Sequence, residues 1–189
     1  MLEETKKTLL NSPIVHFGDY NYFVNPITDG IPTMKPQVLL EITEVIQKNF
    51  NLNVDKIVSV EAMGIPLATS LSIATNIPSL IIRKRNYGLP GEVTIHKYTG
   101  YAESNLYVND LKSGDRILLI DDVVSTGGTL INLIKGLRQI GVDIVTCIAV
   151  IEKGEGKLIV EKETGCKVDT IVKLHVDKGK VVIDKIIGE

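Results

Sequence analysis

The segment best suited to chemistry spans residues 117–129 and reads Ile-Leu-Leu-Ile-Asp-Asp-Val-Val-Ser-Thr-Gly-Gly-Thr. An apolar run typical of a buried strand ends at two adjacent carboxylates, Asp121 and Asp122. A small glycine-rich turn follows, and then a helical pattern, so that backbone N–H groups and a helix N-terminus surround one point. Hydroxyl donors are added by Ser125, Thr126 and Thr129. The segment therefore predicts an anion site, and a phosphate is the expected ligand.

This loop differs from two common nucleotide-binding motifs. It lacks the Gly-Lys-Ser/Thr ending of the triphosphate P-loop, and the sequence has no G-x-G-x-x-G fingerprint. A loop without lysine suits a single terminal phosphate held by amides and hydroxyls. Because the two carboxylates would repel that phosphate, we expect them to accept hydrogen bonds from sugar hydroxyls or to help hold a divalent cation. This layout matches a ribose 5-phosphate, whereas an ordinary strand–turn–helix does not need two adjacent buried carboxylates.

The elements that carry this loop alternate between strands and helices. Apolar spacing predicts helices over residues 2–10, 37–50, 65–75 and 129–140. Apolar runs predict strands over residues 56–60, 79–82, 106–108, 116–120, 142–151, 168–176 and 181–187. Such alternation is typical of an α/β fold in which a mostly parallel central sheet is covered by helices on both faces.

Two segments do not fit the alternation. Residues 16–36 are rich in Pro, Gly and aromatic side chains and are predicted to be irregular, and residues 83–105 are polar without a clear period. Ligands of parallel sheets bind at the carboxyl ends of the strands, so the loops after residues 60, 82, 120 and 151 should build the site. Since segment 83–105 leaves this end and is too long for a plain connection, we predict a flexible lid.

Composition limits the class of protein. The chain has 189 residues, of which 44% are hydrophobic and 23% charged, as expected of one globular domain over residues 1–189. A net charge of -2 argues against a general nucleic-acid binder, and no apolar run has the length of a membrane span. The two cysteines have no metal-ligand spacing, and no signal peptide is visible. We therefore expect a cytoplasmic protein with reduced thiols.

Segment 117–129 resembles the signature for 5-phosphoribosyl pyrophosphate (PRPP) of the type I phosphoribosyltransferases at every position. The resemblance implies the fold of that family, with a hood formed by about residues 13–36 and the C-terminal strands. It implies that Asp121 and Asp122 are catalytic, contact the ribose hydroxyls, and assist Mg²⁺ indirectly or through PRPP. The other PRPP-binding residues of the segment are then Val123, Val124, Ser125, Thr126, Gly127, Gly128 and Thr129.

Two further loops resemble the same family. The adenine enzymes carry Glu-Ala-Arg-Gly in the loop that holds the pyrophosphate of PRPP, and here Met63 replaces the arginine. Arg83 and Lys84 resemble a lysine-bearing segment that contacts PRPP, where cations would neutralise the leaving pyrophosphate. The resemblance thus makes Arg83 and Lys84 catalytic and adds to the PRPP-binding set Glu61, Ala62, Met63, Gly64, Arg83 and Lys84.

Two residues are candidates for contacting the base. Lys153 stands at the end of the strand that follows the predicted helix 129–140. It can donate to an exocyclic oxygen, which hypoxanthine, guanine and xanthine have and adenine lacks. It resembles the lysine that recognises this oxygen in 6-oxopurine enzymes, and Asn25 resembles the base-contacting asparagine of bacterial xanthine enzymes. Gly100-Tyr-Ala102 stands where adenine enzymes have Glu-Tyr-Gly, so the glutamate that serves adenine is absent.

Ser125 stands where the common hypoxanthine–guanine enzymes have an aspartate proposed as general base, so the general base stays open. The chain is most similar to the archaeal hypoxanthine/guanine phosphoribosyltransferases. This resemblance implies purine salvage, in which hypoxanthine or guanine and PRPP give IMP or GMP and pyrophosphate, with Mg²⁺ as cofactor and a homodimer as the assembly. The alternatives are a xanthine or adenine phosphoribosyltransferase, or a non-catalytic transcription regulator of the same fold that senses PRPP or purines.

Overall fold

The computed structural model describes residues 2–18, 20–99 and 102–188. Its helices are α1 (Glu3–Leu10), α2 (Pro26–Asp29), α3 (Pro36–Asn49), α4 (Gly64–Thr75), α5 (Gly128–Ile140) and α6 (Gly156–Thr164). Its strands are β1 (Ile14–Phe17), β2 (Tyr20–Phe23), β3 (Lys56–Val60), β4 (Ser79–Ile82), β5 (Val93–Thr99), β6 (Ala102–Val108), β7 (Arg116–Val124), β8 (Asp143–Lys153), β9 (Asp169–Asp177) and β10 (Lys180–Ile186).

A six-stranded sheet forms the centre of the molecule, in the order β10-β9-β8-β7-β3-β4. All neighbouring strands are parallel except the last, β10, which pairs antiparallel with β9. This confirms the predicted α/β fold with a mostly parallel sheet. The C-terminal strands, which the resemblance assigns to the hood, extend this sheet at one edge.

Alternate residues of the central strands face two separate cores. In β7, Leu118 and Ile120 belong to a core shared with α1, α3 and α4. Ile117 and Leu119 belong to a second core shared with α5, α6 and the β5–β6 pair. Because both faces are covered, the central strands are continuously apolar, which is why they could be recognised from the sequence.

The segment predicted to be irregular, residues 16–36, is more ordered than expected. Strands β1 and β2 form an antiparallel hairpin, and α2 follows directly. The prediction was wrong because each strand has four residues and the helix one turn, which is too short for a periodic pattern to be recognised. Asn25 caps the N-terminus of α2, and its side chain accepts hydrogen bonds from the backbone N–H groups of Ile27 and Thr28.

The predicted lid segment also contains regular structure. Strands β5 and β6 pair antiparallel from Val93↔Val108 to Thr99↔Ala102, and Ile95 and Leu106 are buried. Only residues 106–108 of the hairpin were predicted as a strand, because few apolar residues occur in the rest of β5 and β6. Residues 84–91 before it are exposed. Closure of this segment over the site stays a prediction.

Two further differences concern elements around the site. Helix α6 was not predicted, because in its nine residues only Gly156 and Val160 are buried and the apolar spacing is weak. Strand β7 continues four residues beyond the predicted end, since its pairing with β8 persists to Val124↔Glu152.

Among the described residues, no helix has the length and apolar character needed to cross a bilayer.

Candidate active site

Asp121 and Asp122 lie within β7 rather than after it. Asp121 pairs with Ala149 of β8 and is only 5% exposed. One oxygen of its carboxylate, Oδ1, accepts a hydrogen bond of 3.0 Å from the backbone N–H of Asp122. The strand therefore holds both carboxylates rigidly at the carboxyl end of the sheet, where ligands of such sheets bind.

The two carboxylates lie so close together in a buried place that their negative charges repel each other. Burial, the neighbouring Asp121 carboxylate and the more distant Asp29 carboxylate raise the pKa of Asp122 to about 9. At neutral pH the pair therefore retains a proton when nothing is bound. Hydrogen-bond donors such as ribose hydroxyls, or a cation, would relieve this repulsion.

A cavity of about 520 Å³ opens beside the pair. Its lining includes Asp121, Asp122, Val123, Val124, Ser125, Thr126, Gly127, Gly128 and Thr129, and also Glu61 and Lys84. The structure thus brings most of the predicted PRPP-binding residues to one cavity. Helix α5 begins at Gly128 on its wall, so the helix N-terminus predicted for an anion site is present.

The predicted phosphate loop, residues 125–129, rests on α6, the helix that was not predicted. A Cβ atom added at Gly156 would lie 2.2 Å from the carbonyl oxygen of Ser125 and 2.9 Å from the amide nitrogen of Gly127. Gly127 has a φ of 83°, in the left-handed region. Glycine at position 156 thus permits a close backbone contact that supports the loop from below.

The second predicted loop follows β3. Its first residue, Glu61, reaches the cavity, and the Glu61–Ala62 peptide bond is cis. Gly64 begins α4, and an added Cβ there would lie 2.9 Å from the Cβ of Ser59. Met63, which replaces the arginine of adenine enzymes, lies beside the hood, since a Cβ added at Gly30 would be 3.6 Å from its sulfur.

The predicted cations come from the loop after the adjacent strand β4. Nε of Arg83 lies 2.5 Å from Oε2 of Glu61, and the backbone N–H of Lys84 donates to Oε1 of the same carboxylate at 2.8 Å. Lys84 lines the cavity. The second and third predicted loops are therefore joined to one another through Glu61.

The two predicted base-binding residues lie on different elements near the hood. The Asn25 side chain is buried, caps α2, and donates from Nδ2 to the Thr28 hydroxyl at 2.7 Å. Lys153, at the end of β8, places Nζ 3.4 Å from the carbonyl oxygen of Asn21 and 5.2 Å from the centre of the Phe23 ring. Lys153 is thus under the hood, whereas the amide of Asn25 is engaged in the hood itself. Base contact by either residue stays a prediction.

Two residues near the site were missed by sequence reasoning. Asn105 of β6 lines the cavity, and its side-chain oxygen lies 3.1 Å from Nδ1 of His96 on the paired strand. Asp29, at the end of α2, accepts hydrogen bonds from the hydroxyls of Tyr22 and Thr28 and acts electrostatically on Asp122. Only the hairpin register and the position of the hood reveal them. Of the Gly100-Tyr-Ala102 triplet, residues 100 and 101 lie outside the described residues.

The donor set fits a cation that brings most of its own ligands. In the described part of the chain, no group of three or more His, Cys, Asp or Glu side chains is arranged to hold a metal. Asp121 and Asp122 supply only two carboxylates, and the raised pKa of Asp122 marks a place where positive charge is favourable. Mg²⁺ is commonly bound in this way, by one or two carboxylates together with waters and phosphate oxygens.

Comparison with known proteins decides the family. A family model described as the phosphoribosyl transferase domain matches residues 34–179. The chain belongs to the phosphoribosyltransferase family. Two similar relatives are named hypoxanthine/guanine phosphoribosyltransferase. The one from Methanothermus fervidus is 60% identical over 97% of both chains, and the one from Methanobacterium paludis is 58% identical over the full length of both.

Solved phosphoribosyltransferases share the fold. The adenine phosphoribosyltransferase of Thermoanaerobacter pseudethanolicus superposes with a TM-score of 0.74 at 20% identity, covering 92% of this chain and 99% of that one. The Saccharomyces cerevisiae adenine enzyme gives 0.72 at 18% identity, covering 89% and 97%. At such identities the likeness concerns architecture only, and it confirms the predicted type I phosphoribosyltransferase fold.

Proposed function

We propose that this phosphoribosyltransferase serves purine salvage, joining hypoxanthine or guanine to PRPP to give IMP or GMP and pyrophosphate. The observation that carries the choice of base is the position of Lys153, whose ammonium group lies under the hood at the carboxyl end of β8. An ammonium donates but cannot accept, so it favours a 6-oxo group over the 6-amino group of adenine. The names of the full-length relatives support the same substrates.

In this proposal each part of the cavity takes one part of PRPP. The loop at residues 125–129 holds the 5-phosphate with amides and hydroxyls, aided by the N-terminus of α5. Asp121 and Asp122 accept hydrogen bonds from the ribose hydroxyls. The loop that begins at Glu61 presents residues 62–64 to the pyrophosphate, together with Arg83 and Lys84.

The reaction replaces one bond at the anomeric carbon with another. A purine ring nitrogen bonds to that carbon and loses its proton, the bond to the pyrophosphate oxygen breaks, and pyrophosphate leaves with the bonding electron pair and can take up that proton. Holding both partners in line removes much of the entropic barrier. The β5–β6 hairpin and the segment before it would exclude water, which otherwise competes with the purine.

Mg²⁺ fits this site and would be held by Asp121 and Asp122 together with PRPP. When bound, it supplies positive charge that neutralises the leaving pyrophosphate. Arg83 and Lys84 contribute the remaining charge from the protein. The proton on the Asp121–Asp122 pair would be released as cation or sugar binds.

A homodimer in the cytoplasm belongs to the same proposal. The family resemblance implies the dimer, and the two free cysteines fit a reducing compartment. Light scattering after gel filtration should give about twice the monomer mass of 20.7 kDa. A monomeric mass with full activity would contradict the dimer and leave the reaction unaffected.

The experiment is a comparison of four bases. The protein is incubated with Mg²⁺ and PRPP and with hypoxanthine, guanine, xanthine or adenine in separate reactions, and nucleotide formation is measured. Turnover of hypoxanthine and guanine with adenine inert supports the proposal. Xanthine or adenine as the preferred base contradicts the assigned substrate, and PRPP binding without turnover of any base favours the regulator alternative.

A further inference from the structure

Glu61 joins the ends of two adjacent strands. It follows β3 directly, and Arg83 follows β4, the parallel neighbour of β3. The backbone N–H of Glu61 donates to the carbonyl oxygen of Ile82 at 3.1 Å, so the two strand ends stay paired up to this point. Glu61 therefore enters the cavity from a fixed backbone.

Both carboxylate oxygens of Glu61 are engaged by the third loop. Oε1 accepts from the backbone N–H of Lys84 at 2.8 Å, and Oε2 lies 2.5 Å from Nε of Arg83. Arg83 Nε is buried and has no hydrogen-bond partner, which means that its N–H is not directed at Oε2. The contact is therefore mainly one between opposite charges. The Glu61 side chain is 17% exposed, so water screens this pair less than it would a surface pair.

The backbone of Arg83 is fixed from its other side. Its N–H donates to the carbonyl oxygen of Tyr107 at 3.0 Å, and its own carbonyl oxygen accepts from the Tyr107 N–H at 2.7 Å. Strand β6 of the hairpin thus holds the main chain of Arg83. These backbone contacts do not set the direction of the long Arg83 side chain. That side chain is 43% exposed and is in contact with Glu61.

We propose that Glu61 is a positioning residue that acts on PRPP through Arg83, and is not itself a PRPP ligand. A carboxylate that directly faced pyrophosphate would repel it, and both oxygens of this carboxylate already have partners. By holding the guanidinium of Arg83 beside the cavity that Glu61 lines, Glu61 keeps this cation in place before PRPP arrives. The proposal rests on the proposed function only in taking PRPP as the ligand.

The test is a double-mutant cycle on PRPP affinity, measured by titration calorimetry with Mg²⁺. The four proteins are wild type, Glu61→Gln, Arg83→Gln and the double variant. Each single substitution should weaken PRPP binding about tenfold, and the double variant should bind within about twofold of Arg83→Gln alone. Glu44→Gln, which makes the same change on the exposed face of α3, should bind PRPP like wild type.

Three results would overturn the proposal. Multiplied losses in the double variant would mean that Glu61 binds PRPP or its cation independently of Arg83. Unchanged affinity in Glu61→Gln would mean that the contact does not matter. Unchanged affinity in Arg83→Gln would remove the group through which Glu61 acts, and this arm applies even if Glu61→Gln does not fold.

Purine transfer by the wild type is measured in parallel. If PRPP binding depends on Glu61 through Arg83 while no purine is converted, the proposed function fails and the role of Glu61 stands. If purines are converted but the losses multiply, only the role of Glu61 fails. If both proposals hold, Glu61→Gln raises the KM for PRPP about tenfold and changes the KM for hypoxanthine less than twofold.

Discussion

Asp121 and Asp122 place two mutually repelling carboxylates side by side in a buried part of the predicted site. The strand around them is stable because of its apolar neighbours, yet the pair itself repels, and the pKa of Asp122 rises to about 9. A ligand that donates hydrogen bonds or brings positive charge gains from relieving this repulsion. Function and stability therefore oppose each other at this residue.

Asp122→Asn should stabilise the protein and weaken PRPP binding. Since the pKa of Asp122 lies above its ordinary 3.8, the native state binds more protons than the unfolded state between about pH 4 and 9, and stability falls as pH rises. Asparagine removes this dependence. The variant should exceed wild type in unfolding free energy by about 1 kcal/mol at pH 8 and by little at pH 4.

Urea unfolding at pH 4, 6 and 8 measures the difference, and Asp177→Asn, at an exposed position of β9, is the control. Parallel pH profiles for Asp122→Asn and wild type would show that the repulsion does not act in the folded state. A normal PRPP affinity in Asp122→Asn would remove the residue from the binding site.

Lys153→Met should lose activity toward 6-oxopurines without losing PRPP. Methionine keeps the apolar contact with Phe23 but removes the donor, and a charged hydrogen bond contributes about 1.5–3 kcal/mol. The kcat/KM for hypoxanthine should fall at least about tenfold while the KM for PRPP changes less than about twofold. Lys162→Met, exposed on α6, is the control, and an equal loss in both variants would argue against base contact.

Among the elements, α6 shows how a helix outside the site shapes it. Its first residue, Gly156, lies against the main chain of the phosphate loop, and Val160 packs beside Gly127. The loop has no lysine to compensate for a shift in its amides, so its geometry depends on this contact. The hairpin packs in a similar way, since a Cβ at Gly136 of α5 would lie 2.6 Å from Ile95.

Gly156→Ala should displace the phosphate loop. The added Cβ would lie 2.2 Å from the Ser125 carbonyl oxygen, and neither partner is a flexible side-chain end. We expect PRPP affinity to fall at least about tenfold and stability by about 1–3 kcal/mol. Glu155→Ala, at the exposed neighbouring position, is the control in calorimetric titration and thermal unfolding, and wild-type affinity in Gly156→Ala would show that the loop does not depend on α6.

Gly136→Ala should loosen the hairpin by pushing Ile95 away from α5. The expected cost is about 1–3 kcal/mol, part of which should return when Ile95→Val is added, because the smaller side chain makes room for the new methyl group. Hydrogen exchange of the β5 and β6 amides measures the effect. No recovery in the double variant would mean that the two residues do not share this space.

At the scale of the whole molecule, stability depends on contacts far from the site. Glu41 of α3 is buried and accepts hydrogen bonds from the backbone N–H groups of Glu4 and Thr5 and from the Thr5 hydroxyl. Burial raises the pKa of Glu41, but these hydrogen bonds outweigh it, and the pKa lies below its ordinary value. One carboxylate therefore holds the first turn of α1 against α3.

Glu41→Gln should destabilise the protein in a pH-dependent way. Because the pKa of Glu41 is lowered in the folded state, its contribution is present above the ordinary value of 4.5 and is lost as pH falls through the folded value. The variant should lose about 1–3 kcal/mol at pH 7 and less at pH 3, and Glu44→Gln on the exposed face of α3 should lose nothing. A loss that is equal at both pH values would show that the charge of Glu41 is not the cause.

The sequence by itself determined the central sheet, the helices α1, α3, α4 and α5, and the glycine-rich loop over residues 125–129. The strands β3 and β4 were predicted at their observed bounds, since parallel strands buried on both faces are continuously apolar. The paired carboxylates and the glycine-rich turn were recognisable because all of their chemistry lies in one contiguous segment. Such a local pattern can be recognised without knowing which other segments it contacts.

Only the tertiary structure decided which distant residues meet. It placed Gly156 under the phosphate loop, Asn105 in the cavity wall, and Glu61 between the two loops that carry the predicted pyrophosphate contacts. It also assigned the amide of Asn25 to the cap of α2. The physical reason is that these contacts join segments far apart in the chain. The spacing and composition of one segment do not predict which other segment it will contact. Short elements such as α6 and the β5–β6 hairpin depend on such contacts, so the sequence alone predicted only residues 106–108 of the hairpin and nothing of α6.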